Sequence, residues 1–132
     1  MSILATKPFY TPEDLLTLPD GDQFELVDGQ LLEKDMSLES SWIGGRFYRL
    51  VDDYCGRNDL GWAFPADATF QCFPEFPNRV RKPDVSFLRK GRFPSERLPL
   101  GHCRLAPDAL AEVVSQHDTY YEVELKIRQW LS

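Results

Sequence analysis

The chain has 132 residues, a formal net charge of −6, 42% hydrophobic residues and 27% charged residues. This is one domain's worth of sequence with enough apolar residues for a modest core, which excludes a disordered or collagen-like chain. No apolar run reaches the ~18 residues of a membrane helix, and residues 1–10 lack the charged and apolar regions of a secretory signal, so the expectation is a cytoplasmic protein with no membrane partner.

Thr11-Pro12-Glu13 predicts a short helix, with Thr11 as N-cap, Pro12 in the first turn and Leu15, Leu16 and Leu18 on an apolar side ending before Pro19. Residues 24–33 read as a hairpin, because Asp28-Gly29 lies between two apolar runs and supplies the positive φ of a tight turn. In residues 37–54 the apolar Ile43, Phe47, Leu50, Val51 and Tyr54 recur at helical spacing, with Ser37 as N-cap and Gly56 past the end. Trp42, Phe47 and Tyr54 are expected in the core, and Gly44-Gly45 is expected to permit close packing rather than to cradle phosphate. Residues 61–73 read as an interrupted strand, Val85, Phe87 and Leu88 as a short strand, and the segment holding Gly91, Pro94, Pro99 and Gly101 as an irregular loop. Residues 109–114 have the apolar pattern of a central strand interrupted by Glu112. Asp118 is the expected cap of a last helix, about residues 119–131, whose apolar face is Val123, Ile127, Trp130 and Leu131. A helix that covers a sheet ordinarily leads into a further strand, so the sequence reads as a single domain, 1–132, lacking its last strand or strands.

Cys55, Cys72 and Cys103 contain no C-x-x-C pair and read as small apolar residues rather than a disulfide framework or closed zinc site. His102 and His117 are too isolated for a metal or triad spacing, and His102 reads as a surface loop residue. Residues 79–104 hold eight basic residues (Arg79, Arg81, Lys82, Arg89, Lys90, Arg92, Arg97 and Arg104) against the two acids Asp84 and Glu96. Such a ribbon in an acidic protein suits phosphate contacts beside a cation site, or equally a solvated loop balancing an acidic surface.

Two carboxylates stand where a carboxylate is costly: Asp84 heads an apolar strand, and Glu112 lies among Leu110, Ala111, Val113 and Val114. A buried carboxylate needs a cation, a hydrogen-bond donor or a raised pKa. One solution is Mg²⁺, which takes one or two carboxylates and keeps positions open for phosphate; the Val113 carbonyl is a further candidate ligand and Lys126, one turn after Glu122, a third polar member. The alternative is a structural ion pair between Glu112 and Lys126 or an arginine, with Asp84 capping a turn.

Pro83-Asp84 on one strand and Glu112-x-Val114 on the next, after a long helix, resemble the PD-(D/E)XK nuclease superfamily. More narrowly the chain resembles the Uma-two family of restriction-type endonucleases, through Tyr10-Thr11-Pro12-Glu13-Asp14-Leu15, Phe24-Glu25-Leu26-Val27-Asp28-Gly29, Arg81-Lys82-Pro83-Asp84-Val85-Ser86-Phe87, and Ala106-Pro107-Asp108 leading to Glu112-Val113-Val114-Ser115, with Asp118 and Lys126 on the following helix. The resemblance implies an α/β (α+β) fold, a restriction-endonuclease-like mixed sheet flanked by helices and preceded by the short helix and hairpin. It implies Mg²⁺ or Mn²⁺ held by Asp84, Glu112 and Val113 and hydrolysis of phosphodiester bonds in DNA; without the last strand the sheet would expose an edge and part of the apolar helix face, so a homo-oligomer, a dimer, is expected to cover them. Val114 stands where the superfamily's last-motif lysine belongs, and the resemblance moves that role to Lys126. Glu25 falls in a shared motif as a further acidic candidate, its plainer role being a hairpin residue paired with a neighbouring base. Arg79, Arg81, Lys82, Arg89 and Lys90 are the candidate nucleic-acid contacts. The competing function is a nuclease-like module that binds nucleic acid or self-associates without turnover.

Overall fold

A computed structural model describes residues 9–132 and the backbone of Ile3–Leu4; residues 1, 2 and 5–8, on which part of the signal-segment expectation falls, lie outside the described residues. The elements are β1 (Ile3–Leu4), α1 (Pro12–Thr17), β2 (Phe24–Val27), β3 (Gln30–Glu33), α2 (Leu38–Arg57), β4 (Gly61–Phe64), β5 (Val85–Arg89), β6 (Ala109–Ala111) and α3 (Tyr120–Leu131). This is the expected α+β class. The named strands form two three-stranded antiparallel sheets, ordered β1-β3-β2 and β4-β5-β6.

Thr11 caps α1 through a capping box with Asp14, which satisfies two N–H groups that the first turn leaves open. The β2–β3 hairpin turns at Asp28 (φ 52°) and Gly29 (φ 87°), both in the left-handed region that a two-residue primed turn requires. A side chain at Gly29 would collide with the Phe9 ring, at 2.4 Å. Leu26 pairs with Leu31 across the hairpin, and both are buried with Tyr10, Leu15, Phe24 and Val80 in the first core cluster.

Residues between β4 and β5 join the sheets by single bridges: Leu26 with Val80, Phe70 with Arg81, and Phe70 in parallel with Cys103. Regular pairing stops at Phe64 because Pro65 and Pro74 withhold donors, so the interrupted strand survives only as β4 and these bridges. Phe70, Leu88 and Phe93 form the second cluster, against which Trp130 packs edge-on to Phe70 at 6.1 Å. His102 is buried rather than on the surface: its ring nitrogens lie 2.8 Å from Thr69 Oγ1 and 2.7 Å from the Pro12 carbonyl, tying α1 to the loop.

Three further expectations are corrected. β6 is three residues long and pairs only with β5, so it is a half-exposed edge and not a central strand covered on both faces. Thr119, not Asp118, caps α3; the Asp118 carboxylate instead accepts the Ser115 N–H at 2.8 Å. α2 continues past Gly56 to Arg57 and turns its small residues inward, burying Ser40, Gly44 and Cys55 while Trp42, Ile43, Phe47, Leu50 and Tyr54 are exposed. Gly44 is the seat of the helix, because a Cβ there would touch Val113 and Asp84 at 3.6 and 3.9 Å, whereas Gly45 faces open space. Cys55 is buried; Cys72 and Cys103 are half-buried thiols. Among the described residues no helix is long and apolar enough to cross a membrane.

Candidate active site

The register of β5 and β6 brings the two carboxylates together. Val85 faces Ala111 in the antiparallel pair, and one step further along both strands stand Asp84 and Glu112. Residues opposite one another in such a pair project to the same face. Asp84 Oδ2 accepts the Val113 N–H at 2.6 Å, which fixes the carboxylate at the strand end. α3 then lays Lys126 over the pair, with Nζ 3.4 Å from Glu112 Oε2.

A second lysine arrives from the other sheet. Lys34, the residue after β3, places Nζ 3.3 Å from Asp84 Oδ1 and 3.7 Å from Glu112 Oε2, and donates to the Lys82 carbonyl. No spacing in the sequence singled out Lys34, because its partners come from strands far away in the chain. Its one local signal was its position just after the hairpin that carries Glu25.

Behind this layer lies a fully satisfied charge pair. Arg81 donates to Glu25 Oε1 at 3.1 Å, the Lys82 N–H donates to Glu25 Oε2 at 2.8 Å, and two more Arg81 nitrogens donate to Gln129 Oε1 at 2.9 and 2.7 Å. Glu25 is therefore beside the site with both oxygens occupied, tying β2 to α3 through Arg81 and Gln129. Burial raises its pKa, but Arg81, Lys34, Lys126 and the Lys82 N–H outweigh that and hold it below the ordinary value.

Glu112 behaves oppositely. Burial pushes its pKa up, and the attractions of Lys34 and Lys126 do not cancel this, with Glu25 and Asp84 adding like charge. Burial works against the Lys34 ammonium too, yet Glu25, Glu112 and Asp84 together raise its pKa. The asymmetry has a visible cause: Lys34 faces three carboxylates, whereas Glu112 Oε1 is buried and receives no hydrogen bond from the described residues. Among the described residues Asp84 Oδ1 meets the Lys34 ammonium as an ion pair at 3.3 Å and accepts no further hydrogen bond.

These atoms open into a cleft of about 510 Å³ lined by Lys34, Ser40, Asp84, Glu112, His117 and Lys126 among others. Among the described residues no three His, Cys, Asp or Glu side chains converge as metal ligands. The two carboxylates remain, with hard oxygen donors and one unbonded oxygen each, and a positive group already stands between them. That donor set fits a hard divalent ion, which takes one or two carboxylates and completes its shell with backbone oxygen and water.

The basic ribbon does not stay together. Arg79, Arg81 and Lys82, expected as nucleic-acid contacts, are buried and engaged by other parts of the chain. Arg79 pairs with Asp28 at 3.2 Å and stacks on Phe76, Arg81 serves Glu25, and the Lys82 ammonium donates to the Asp22 carbonyl. Arg89 and Lys90 are exposed, Lys90 pairing with Asp59 at 2.6 Å.

An α+β domain with two carboxylates at the ends of adjacent strands, lysines against them and a cleft in front defines a small nuclease-like fold. The chain belongs to the Uma2 family, whose model, described as "Putative restriction endonuclease", matches residues 12–132. No curated protein matches the chain.

Proposed function

We propose that this chain is a divalent-metal-dependent endonuclease that hydrolyses phosphodiester bonds in DNA. The observation that carries this reading is the juxtaposition of Asp84 and Glu112 across the β5–β6 pair with Lys126 on the third side. Asp84, Glu112 and the Val113 carbonyl would hold Mg²⁺ or Mn²⁺. The bound ion would supply Lewis-acid stabilisation of charge developing on the phosphoryl oxygens. Lys126, held as an ammonium against Glu112, orients the attacking water by hydrogen bonding. The Val113 N–H keeps Asp84 from swinging out of the site. Glu25 acts through Arg81 and the Lys82 backbone as a positioning residue that fixes the strand leading to Asp84. Arg89 and Lys90 are the remaining phosphate contacts of the ribbon.

The test is cleavage of supercoiled and linear DNA by purified protein with Mg²⁺ or Mn²⁺, compared with Asp84→Ala and Glu112→Ala. Loss of cleavage in both variants, with folding retained by circular dichroism, supports the assignment. Cleavage that survives both changes overturns it.

One observation favours a second reading. Ile43, Phe47, Leu50 and Tyr54 form an exposed stripe on α2 at alternating spacings of four and three, the pattern of a helix–helix seam. A self-associating, nuclease-like module, dimeric in solution, would use that stripe and retain DNA in a salt-dependent way without cutting it.

A further inference from the structure

The proposed catalytic scheme leaves Lys34 without a task, although it is the cation nearest to Asp84. Its ammonium lies 3.3 Å from Asp84 Oδ1 and 3.7 Å from Glu112 Oε2, in the gap that a divalent ion bridging the two carboxylates would need. Its side chain is nearly buried, and the Lys82 carbonyl anchors it. Lys126 is placed differently, pairing with Glu112 from the α3 side. Two carboxylates and two ammonium groups make the cluster neutral before any metal arrives. A divalent ion added with both lysines in place leaves two uncompensated positive charges in a partly buried cleft, which is unfavourable.

We infer that Lys34 is a resident counter-cation of this site, which holds Asp84 and Glu112 together and is displaced from between them when a divalent ion enters. The inference rests on the metal reading given above. Lys34 then sets how tightly the ion binds, and its displacement frees a positive charge at the mouth of the cleft. In the absence of a substrate phosphate the ion competes against a built-in partner, so loading is weak until the polyanion contributes its own charge.

The experiment uses the whole chain and Mn²⁺ alone. Calorimetric titration compares the wild type with Lys34→Met, Lys126→Met and Glu112→Ala. The expected result is Mn²⁺ binding to Lys34→Met about tenfold or more tighter than to the wild type, a smaller gain for Lys126→Met, and loss of binding in Glu112→Ala. Equal or weaker binding by Lys34→Met overturns the inference while leaving the metal reading intact. Absence of Mn²⁺ binding in the wild type and both lysine variants overturns the metal reading and the inference with it.

A measurement on the wild type keeps the test independent of how a variant folds. Reductive methylation with and without Mn²⁺, read by peptide mass spectrometry, reports whether the Lys34 amine is covered. Increased labelling of Lys34 on addition of Mn²⁺ is expected. Unchanged labelling at a concentration where calorimetry shows the ion bound overturns displacement.

Discussion

The charged layer at the junction of the sheets and the outer face of α2 invert the usual rule of what a protein hides. Glu25, Arg81 and Asp84 are 1%, 2% and 4% exposed, whereas Trp42 and Leu50 on α2 are 63% and 68% exposed. Burial here follows pairing and fit rather than hydrophobicity. Each oxygen of Glu25 receives a donor, so the charge can leave water. α2 approaches the sheet through Ser40, Gly44 and Cys55 because small residues permit the closest contact, and its large side chains are left outside. The lesson is that costly buried charges gather where the sheets meet, whereas the exposed apolar groups lie on a face that this fold itself leaves uncovered.

The largest expected effect lies in the charged layer. Asp84→Ala and Glu112→Ala should each lower metal-dependent cleavage by at least about 10²-fold, and Asp84→Ala should also lower the thermal midpoint, because it strands the Lys34 ammonium and the Val113 N–H. A steady-state cleavage assay paired with a melting curve checks this. A variant that unfolds instead would assign these carboxylates a structural role.

Next comes the satisfied pair behind them. Removing one partner, as in Glu25→Ala or Arg81→Ala, strands a buried charge and should cost about 3–5 kcal/mol in urea unfolding. A cost below about 1 kcal/mol would mean that the pair is open to water and that the contrast with α2 is smaller than drawn.

The same carboxylate gives a pH signature. The folded state holds Glu25 with a pKa below its ordinary value of 4.5, so the unfolded chain takes up its proton first as pH falls. The stability contributed by Glu25 is therefore present above about pH 4.5 and is lost as pH drops through the depressed folded value. Glu112, with its raised pKa, contributes in the opposite direction, its share being present at low pH and lost as pH rises through its folded value. Unfolding free energies of wild type and Glu25→Gln measured from pH 7 to pH 3 should converge as pH falls; parallel curves would contradict the assigned shift.

The smallest effect is expected on α2. Leu50→Ser should change unfolding free energy by no more than about 0.5 kcal/mol in dilute protein, since the side chain is exposed. A loss of 2 kcal/mol or more, accompanied by a change in sedimentation, would show that a second copy covers the stripe.

Local chemistry was legible in the sequence wherever one short stretch decides the geometry. Thr11 and Pro12 fixed the start of α1, Asp28-Gly29 fixed the hairpin, and Ser37 fixed the start of α2, because caps and positive-φ turns are satisfied within four residues. The family motifs likewise pointed to Asp84, Glu112 and Lys126, and the fold brings those three together. Helical spacing located α2 but not its buried side, since periodicity finds an apolar stripe and does not say whether a sheet or solvent lies opposite it. The basic ribbon is divided for the same reason: Arg79 and Arg81 pair with Asp28 and Glu25, acids on a distant hairpin that no local pattern connects to them. What only tertiary structure decided was therefore the pairing of charges across the chain, above all the seat of Lys34 between Asp84 and Glu112. Backbone preferences act over a few residues, whereas a buried charge chooses its partner from whatever the assembled sheets bring within about 4 Å.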